Sequence, residues 1–135
     1  MNAEPRTYII RIPPGTALLN LNHRNHHMKR HQLTQVIKSA AIWQAKAQRI
    51  PRLEHVQVHG LLHAPDKRHR DPGNWALTQK AAIDGLVSAG VLADDHAGIV
   101  DDRGIQLGEP GRVLAYSLVI TEVPAAAATD STGGN

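Results

Sequence analysis

The chain has 135 residues, no cysteine and a formal net charge of +3 at neutral pH. That length suits one domain with a core of its own and is too short for two. Without thiols there are no disulfides, thiolate zinc sites or cysteine nucleophiles, so metal binding falls to Asp, Glu and His and favours a hard cation on oxygen. No apolar run approaches membrane-spanning length, and the N-terminus lacks the order of a secretory signal, which predicts a soluble, cytoplasmic protein.

The charge is unevenly divided. Residues 1–70 hold 12 of the 15 Lys and Arg against Glu4, Glu54 and Asp66, a net of +9; from Asp71 onward three bases face nine acids, a net of −6. A basic half beside an acidic half points to a polyanion, nucleic acid, as partner of the first. With two Trp, two Tyr and no Phe, there is little on which single-stranded bases would stack, so recognition of backbone shape fits better.

Arg6–Ile12 is rich in β-formers and ends at Pro13-Pro14-Gly15, which predicts a first strand entering a turn. A polar loop follows over residues 15–25. Leu33, Val36, Ile37, Ala40, Trp43 and Ala47 then recur at helical spacing up to Pro51, predicting a first helix with these residues on its core face. Alternation over His55–His63 predicts a half-buried strand, with Val56, Val58 and Leu62 on one side and His55, His59 and His63 on the other. The loop 64–74 is strongly basic and leads into Asp71. A second helix is expected from about Trp75 to Ala89, stopped by Gly90, with Ala76, Ile83, Leu86 and Val87 towards the core and Lys80 and Asp84 on a neighbouring face. Two more strands are expected around Ile99–Leu107 and Arg112–Val123, the latter buried on both faces. Residues 1–123 thus form one α/β (α+β) domain in the order β-α-β-α-β-β, a mixed sheet carrying two helices, and 124–135 form a disordered tail.

The nine histidines do not make a convincing zinc site. His55, His59 and His63 lie on a strand, where four residues separate side chains by roughly 13 Å. His23, His27 and His31 would share a face only on a helix that begins early, and none sits in an H-E-x-x-H arrangement. The carboxylates carry more. Asp71 and the Asp94-Asp95 pair bracket the second helix, and two or three carboxylates from separate loops are a usual way to hold Mg²⁺. About 15 helical residues span roughly 22 Å, so these acids meet only if the loop after Gly90 turns back along the helix or the Asp71 loop folds towards it. Turn and helix-cap roles for Asp71-Pro72-Gly73-Asn74 and Asp94-Asp95 are the competing reading.

Three stretches, Arg70-Asp71-Pro72-Gly73-Asn74, Lys80-Ala81-Ala82-Ile83-Asp84-Gly85-Leu86 and Ala89-Gly90-Val91-Leu92-Ala93-Asp94-Asp95, together resemble the signature of the RusA family of Holliday junction resolvases, in the form carried by actinobacterial phages and prophages. The order of the flanking strands is also similar over most of residues 6–123. The resemblance implies a small mixed α/β fold, Mg²⁺ (with Mn²⁺ as substitute), a homodimer, and paired symmetric nicking of four-way DNA junctions in recombination, repair or phage DNA processing. It implies catalytic and metal-site roles for Asp71 and Asp95 and a catalytic role for Lys80. Gly73 stands where the family pattern carries a second Asp, and three extra residues separate Asn74 from Lys80. Asp84 or Asp94 is therefore expected to complete the metal shell. Arg24, Lys29, Arg30, Lys67, Arg68, Arg70 and Asn74 are the expected DNA contacts. A branched-DNA-binding protein without nuclease activity is the alternative.

Overall fold

The computed structural model describes residues 5–22 and 26–124; His23 and Arg24, and all of the expected tail but Pro124, lie outside them. Strand β1 (Thr7–Arg11), helix α1 (His27–Ala47), strand β2 (Val56–His63), helix α2 (Ala76–Ser88) and strands β3 (Val100–Leu107) and β4 (Ala115–Glu122) follow in the order the sequence predicts. The four strands form one mixed sheet in the spatial order β1-β4-β2-β3. β4 pairs antiparallel with both β1 and β2, while β3 runs parallel to β2. A parallel neighbour needs a crossover, and α2 supplies it.

The alternation in β2 sets which face is covered. Val56, Val58, Gly60 and Leu62 are buried, and their partners in β4, Ile120, Leu118 and Tyr116, are fully buried beside them. Ile10 joins them from β1 through Leu118. Both helices lie over this face, and the core is the layer between them and the sheet. As the sequence predicts, β4 is central and buried on both sides, from Tyr116 to Ile120 without a break. Each fully buried aliphatic chain contributes about 1.5–3 kcal/mol relative to exposure, and this layer is the main favourable contribution. Strand β1 is an edge, and α1 blunts it: Gln48 Nε2 donates to the Ile9 carbonyl at 2.8 Å and Gln44 Oε1 accepts from Arg11 N at 3.5 Å.

The first helix differs from its predicted face. Its buried residues are Ile37, Ala41 and Ala45, whereas Val36 and Trp43 are 53% and 68% exposed and Ala47 is exposed. Residues four apart make one ridge, and Trp43 stands roughly 200° round the helix from Ala41. The reason is close approach. At Gly85 of α2 an added Cβ would lie 2.7 Å from the Lys38 carbonyl oxygen and 2.8 Å from Ala41 Cβ, so the helices pack on small residues and only a narrow stripe is covered. The helix also starts earlier than Leu33, with His26 Nδ1 accepting from Met28 N at its head.

Both helices end in the same device. After α1, Arg49 N bonds Lys46 O and Ile50 N bonds Ala45 O; after α2, Gly90 N bonds Val87 O and Val91 N bonds Leu86 O. These are Schellman closures, and each places its turning residue in the left-handed region, Gly90 at φ 83° and Arg49 at φ 55°. Gly90 is the stop the sequence predicts; Arg49 does the same work at a conformational cost.

Gly85→Ala tests the helix contact by sign. Alanine would gain up to about 1 kcal/mol in an exposed helix, but overpacking a closed contact costs typically about 1–3 kcal/mol. Chemical denaturation should show net destabilisation; a more stable variant would contradict this packing.

Candidate active site

The segment between β2 and α2 is organised by Asp66. Its Oδ1 accepts from Arg68 N at 3.0 Å and from Arg70 Nη1 at 2.8 Å, which hold its carboxyl below the usual range, the Arg70 bond chiefly. The Arg70 side chain is only 12% exposed, against 76% for Arg68, and also donates to Arg68 O. Arg70 therefore shapes this loop, while Lys67 and Arg68 stay on the surface. Because the folded carboxyl titrates below its unfolded value, the contribution of these bonds is complete above about pH 4 and is lost as pH falls further. The side-chain carboxyl carbon shift of Asp66 should hold from pH 7 to about pH 4 and move only below it.

Asp71 follows as a cap. Its Oδ1 accepts from Gly73 N at 3.1 Å at the head of a 3-10 turn over Pro72–Trp75, which precedes α2 and replaces the helical start expected at Trp75. The turn is tied to the loop after β1. Leu21 N donates to Asn74 O, and buried Thr78 exchanges two hydrogen bonds with the Leu19 backbone, at 2.8 and 2.9 Å. Asn74 thus positions the loop through its carbonyl, and its side chain is half-buried.

At the other end of α2, the chain leaves Gly90, buries Val91 and Leu92 and turns back along the helix. This is one of the two routes by which the sequence could bring Asp71 and Asp95 together, but Asp71 does not line the cleft that results. The return brings Asp95 Oδ2 to 3.8 Å from Lys80 Nζ. Asp94 holds the return: its Oδ1 accepts from Asp95 N at 2.7 Å, and that bond lowers its carboxyl below the usual range. Lys80 and Asp95 open onto a cleft of about 240 Å³ whose other walls are Ala76, Ile83, Val100 and Asp102. Ala76, expected in the core, is exposed and faces this cleft instead. Asp71, Asp84 and Asp94 do not line it, and among the described residues no three His, Asp or Glu side chains are gathered closely enough to hold a metal.

Asp102 is the acid that sequence reasoning missed. Val58 pairs with Asp102 but Gly60 pairs with Ile105, so β3 carries one extra residue and bulges, with Gly104 at φ 79°. Asp102 Oδ1 accepts from Gly104 N at 2.8 Å and closes the bulge. From α2, the side chain of Gln79, 2% exposed, donates through Nε2 to Asp102 Oδ1 at 2.8 Å and to Gly104 O at 3.1 Å. Its Oε1 accepts from the fully buried Tyr116 hydroxyl at 2.7 Å. Burial, with the charge of Asp102 adding to it, pushes the phenol well above its ordinary range and keeps it a donor. Both ends of the amide are thereby assigned, since Asp102 and Gly104 O only accept. Gly60 makes the room: a Cβ there would meet Gln79 Oε1 at 2.0 Å. The signal in the sequence was Asp102-Arg103-Gly104, an acid two residues before a glycine inside a strand pattern.

The expected DNA contacts Lys29 and Arg30 are exposed on the first turn of α1. His27 and His31 share that helix four residues apart, and among the described residues they are not part of a three-donor group; His23 lies outside those residues. A larger groove, about 690 Å³, lies on the uncovered sheet face, where His63 Nε2 and Ser117 Oγ are 2.9 Å apart and His63 Nδ1 meets the Glu109 carbonyl at 2.7 Å. Arg11, Arg112 and Glu109 line it among aliphatic residues.

No helix among the described residues is long and apolar enough to cross a membrane. Comparison with protein-family models gives no match, nor does a search of curated proteins.

Replacing Tyr116 by Phe would leave a buried amide oxygen without its donor, a loss of about 1–3 kcal/mol. Chemical denaturation of Tyr116→Phe should read a destabilisation of that order; an unchanged midpoint would mean that Gln79 has another donor.

Proposed function

We propose that the protein is a Mg²⁺-dependent endodeoxyribonuclease that resolves four-way DNA junctions by paired symmetric nicks, acting as a homodimer in recombination, repair or phage DNA processing. The observation that carries this reading is the return of the loop after Gly90, which sets Asp95 against Lys80 in one cleft within the 70–95 stretch that resembles the resolvase signature. An exposed pair 3.8 Å apart contributes at most about 1 kcal/mol to stability, so stability alone gives little reason for the two groups to meet. Phosphodiester hydrolysis does: it needs positive charge beside the phosphoryl oxygens and a carboxylate for a cation.

The donors suit Mg²⁺, a hard cation that binds one or two carboxylates and keeps water and substrate phosphate as its other ligands. Asp95 would hold it; Asp71, the acid of the turn leading into α2, is the other metal-site carboxylate that the resemblance implies. When bound, the ion neutralises phosphate charge and acidifies a water, with Mn²⁺ a competent substitute. Lys80 meets charge that develops on the phosphate. The products are nicks with 5′-phosphate and 3′-hydroxyl ends. The exposed bases Lys29, Arg30, Lys67 and Arg68 track DNA backbone without reading bases.

The test is incubation with a synthetic four-way junction, a matched duplex and a 5′-flap, with and without Mg²⁺. Cleavage should favour the junction and require the cation. Asp95→Asn and Lys80→Met should each lower its rate by about 10²–10³, the usual cost of removing one electrostatic group from such a site, with junction binding retained. Alanine at a phosphate-contacting base should weaken binding to all sequences alike and reduce the slope of log K against log salt by about 0.9. Binding of the junction with no nicking under any condition would instead establish the second reading, a branched-DNA-binding protein.

A further inference from the structure

We propose that Asp102 is the carboxylate that joins Asp95 in holding the cation, and that Gln79 is its positioning residue. This rests on the nuclease reading and deepens it, because the sequence left the completing acid to Asp84 or Asp94. Neither lines the cleft, nor does Asp71. Of the acids in the described residues, Asp95 and Asp102 are those that reach the cleft wall.

The position of Asp102 is the first reason. Its cross-strand partner Val58, and Val100 two residues earlier in β3, belong to the covered face of the sheet, so Asp102 projects to the helix side, at the exposed margin of the sheet. At that margin it is held by a hydrogen bond from α2. The partner supplied is an amide. A lysine or arginine at residue 79 would neutralise the carboxylate and compete with a cation, whereas Gln79 fixes its orientation and leaves its charge in place. Both recorded bonds use Oδ1, and Oδ2 takes neither.

The second reason is how much of the fold is committed to that amide. Gln79 is held from behind by the Tyr116 hydroxyl, and Gly60 keeps a side chain out of its way. The bulge at Gly104, which the same amide bonds, follows directly on Asp102, which keeps the register of Val100. Carboxylates that bind metals are themselves oriented by hydrogen bonds, and removing the orienting group typically weakens binding by about 10–100-fold. Lys80, adjacent to Gln79 in α2, faces the same cleft from the outer side, so one helical turn supplies both the buried support and the exposed cation.

The experiment measures Mn²⁺ affinity by electron paramagnetic resonance, with junction nicking scored in parallel, for the full chain and for Asp95→Asn, Asp102→Asn, Gln79→Met and the double variant Gln79→Met/Asp102→Asn. Asp102→Asn keeps an oxygen for Gly104 N, so the bulge survives, and circular dichroism verifies folding of each protein. Mn²⁺ should bind at least about tenfold more weakly to Asp102→Asn and to Gln79→Met. The double variant should match Asp102→Asn, because a residue that acts only through Asp102 adds nothing once that carboxylate is gone. A structural role for Gln79 alone would leave Mn²⁺ affinity unmoved at equal folded fraction. Full affinity in Asp102→Asn, with Asp95→Asn impaired, overturns this inference and leaves the nuclease reading standing. Absence of Mn²⁺ binding and nicking in the unsubstituted protein overturns both.

Discussion

The structure turns on one buried amide. Gln79 reaches from α2 to the bulge of β3 and is gripped by Tyr116 from β4, so three elements distant in sequence meet at a single side chain. An unpaired polar group at that depth is costly, and a fully paired network is correspondingly specific about geometry. The parallel pairing of β3 with β2 is the part of the sheet with least cover, since most of β3 beyond Val100 is exposed. Gln79 fastens this edge to the helix that crosses over it. The cleft between α2 and β3 has its width fixed by the same bonds.

The second constraint is the way the chain reverses after α2. A Schellman closure with Gly90 in the left-handed region buries Val91 and Leu92 and sends the following loop back along the helix. Only then do residues fifteen apart in sequence, Lys80 and Asp95, face one another. At the opposite end, the 3-10 turn capped by Asp71 is bound to the loop after β1 through Asn74 and Thr78. Both ends of α2 are therefore pinned, and its outer face is a rigid platform for the groups that the proposed chemistry uses. Such support matters because catalytic geometry tolerates little misplacement.

Much of this was legible in the sequence because period and punctuation agree. Alternation located β2 and β4 and assigned their faces, and Gly90 marked the helix stop. Helix length alone left two ways for Asp71 and Asp95 to meet, and the structure has the first, a loop folding back along α2, without Asp71 in the cleft. What failed has physical causes. Val36 and Trp43 fit a helical period yet lie outside, because Gly85 and Ala41 let the helices approach until only the Ile37, Ala41, Ala45 ridge is covered. Arg70 looked like a free cation and is tied to Asp66, a pairing that depends on the path of the loop. Asp102 was read as part of a strand, since the bond that ties its side chain to Gly104 N leaves little trace beyond a glycine two residues on. Asp84 and Asp94, expected to stand in for the carboxylate missing at Gly73, do not line the cleft, and neither does Asp71.

The most direct measurement is paramagnetic broadening of amide resonances by substoichiometric Mn²⁺. The account predicts loss of signal centred on the walls of the cleft, around Lys80, Asp95, Asp102 and Gly104, with the groove around Arg112 and Val113 unaffected. Broadening centred on His27 and His31 or on that groove, or none at all, would contradict it.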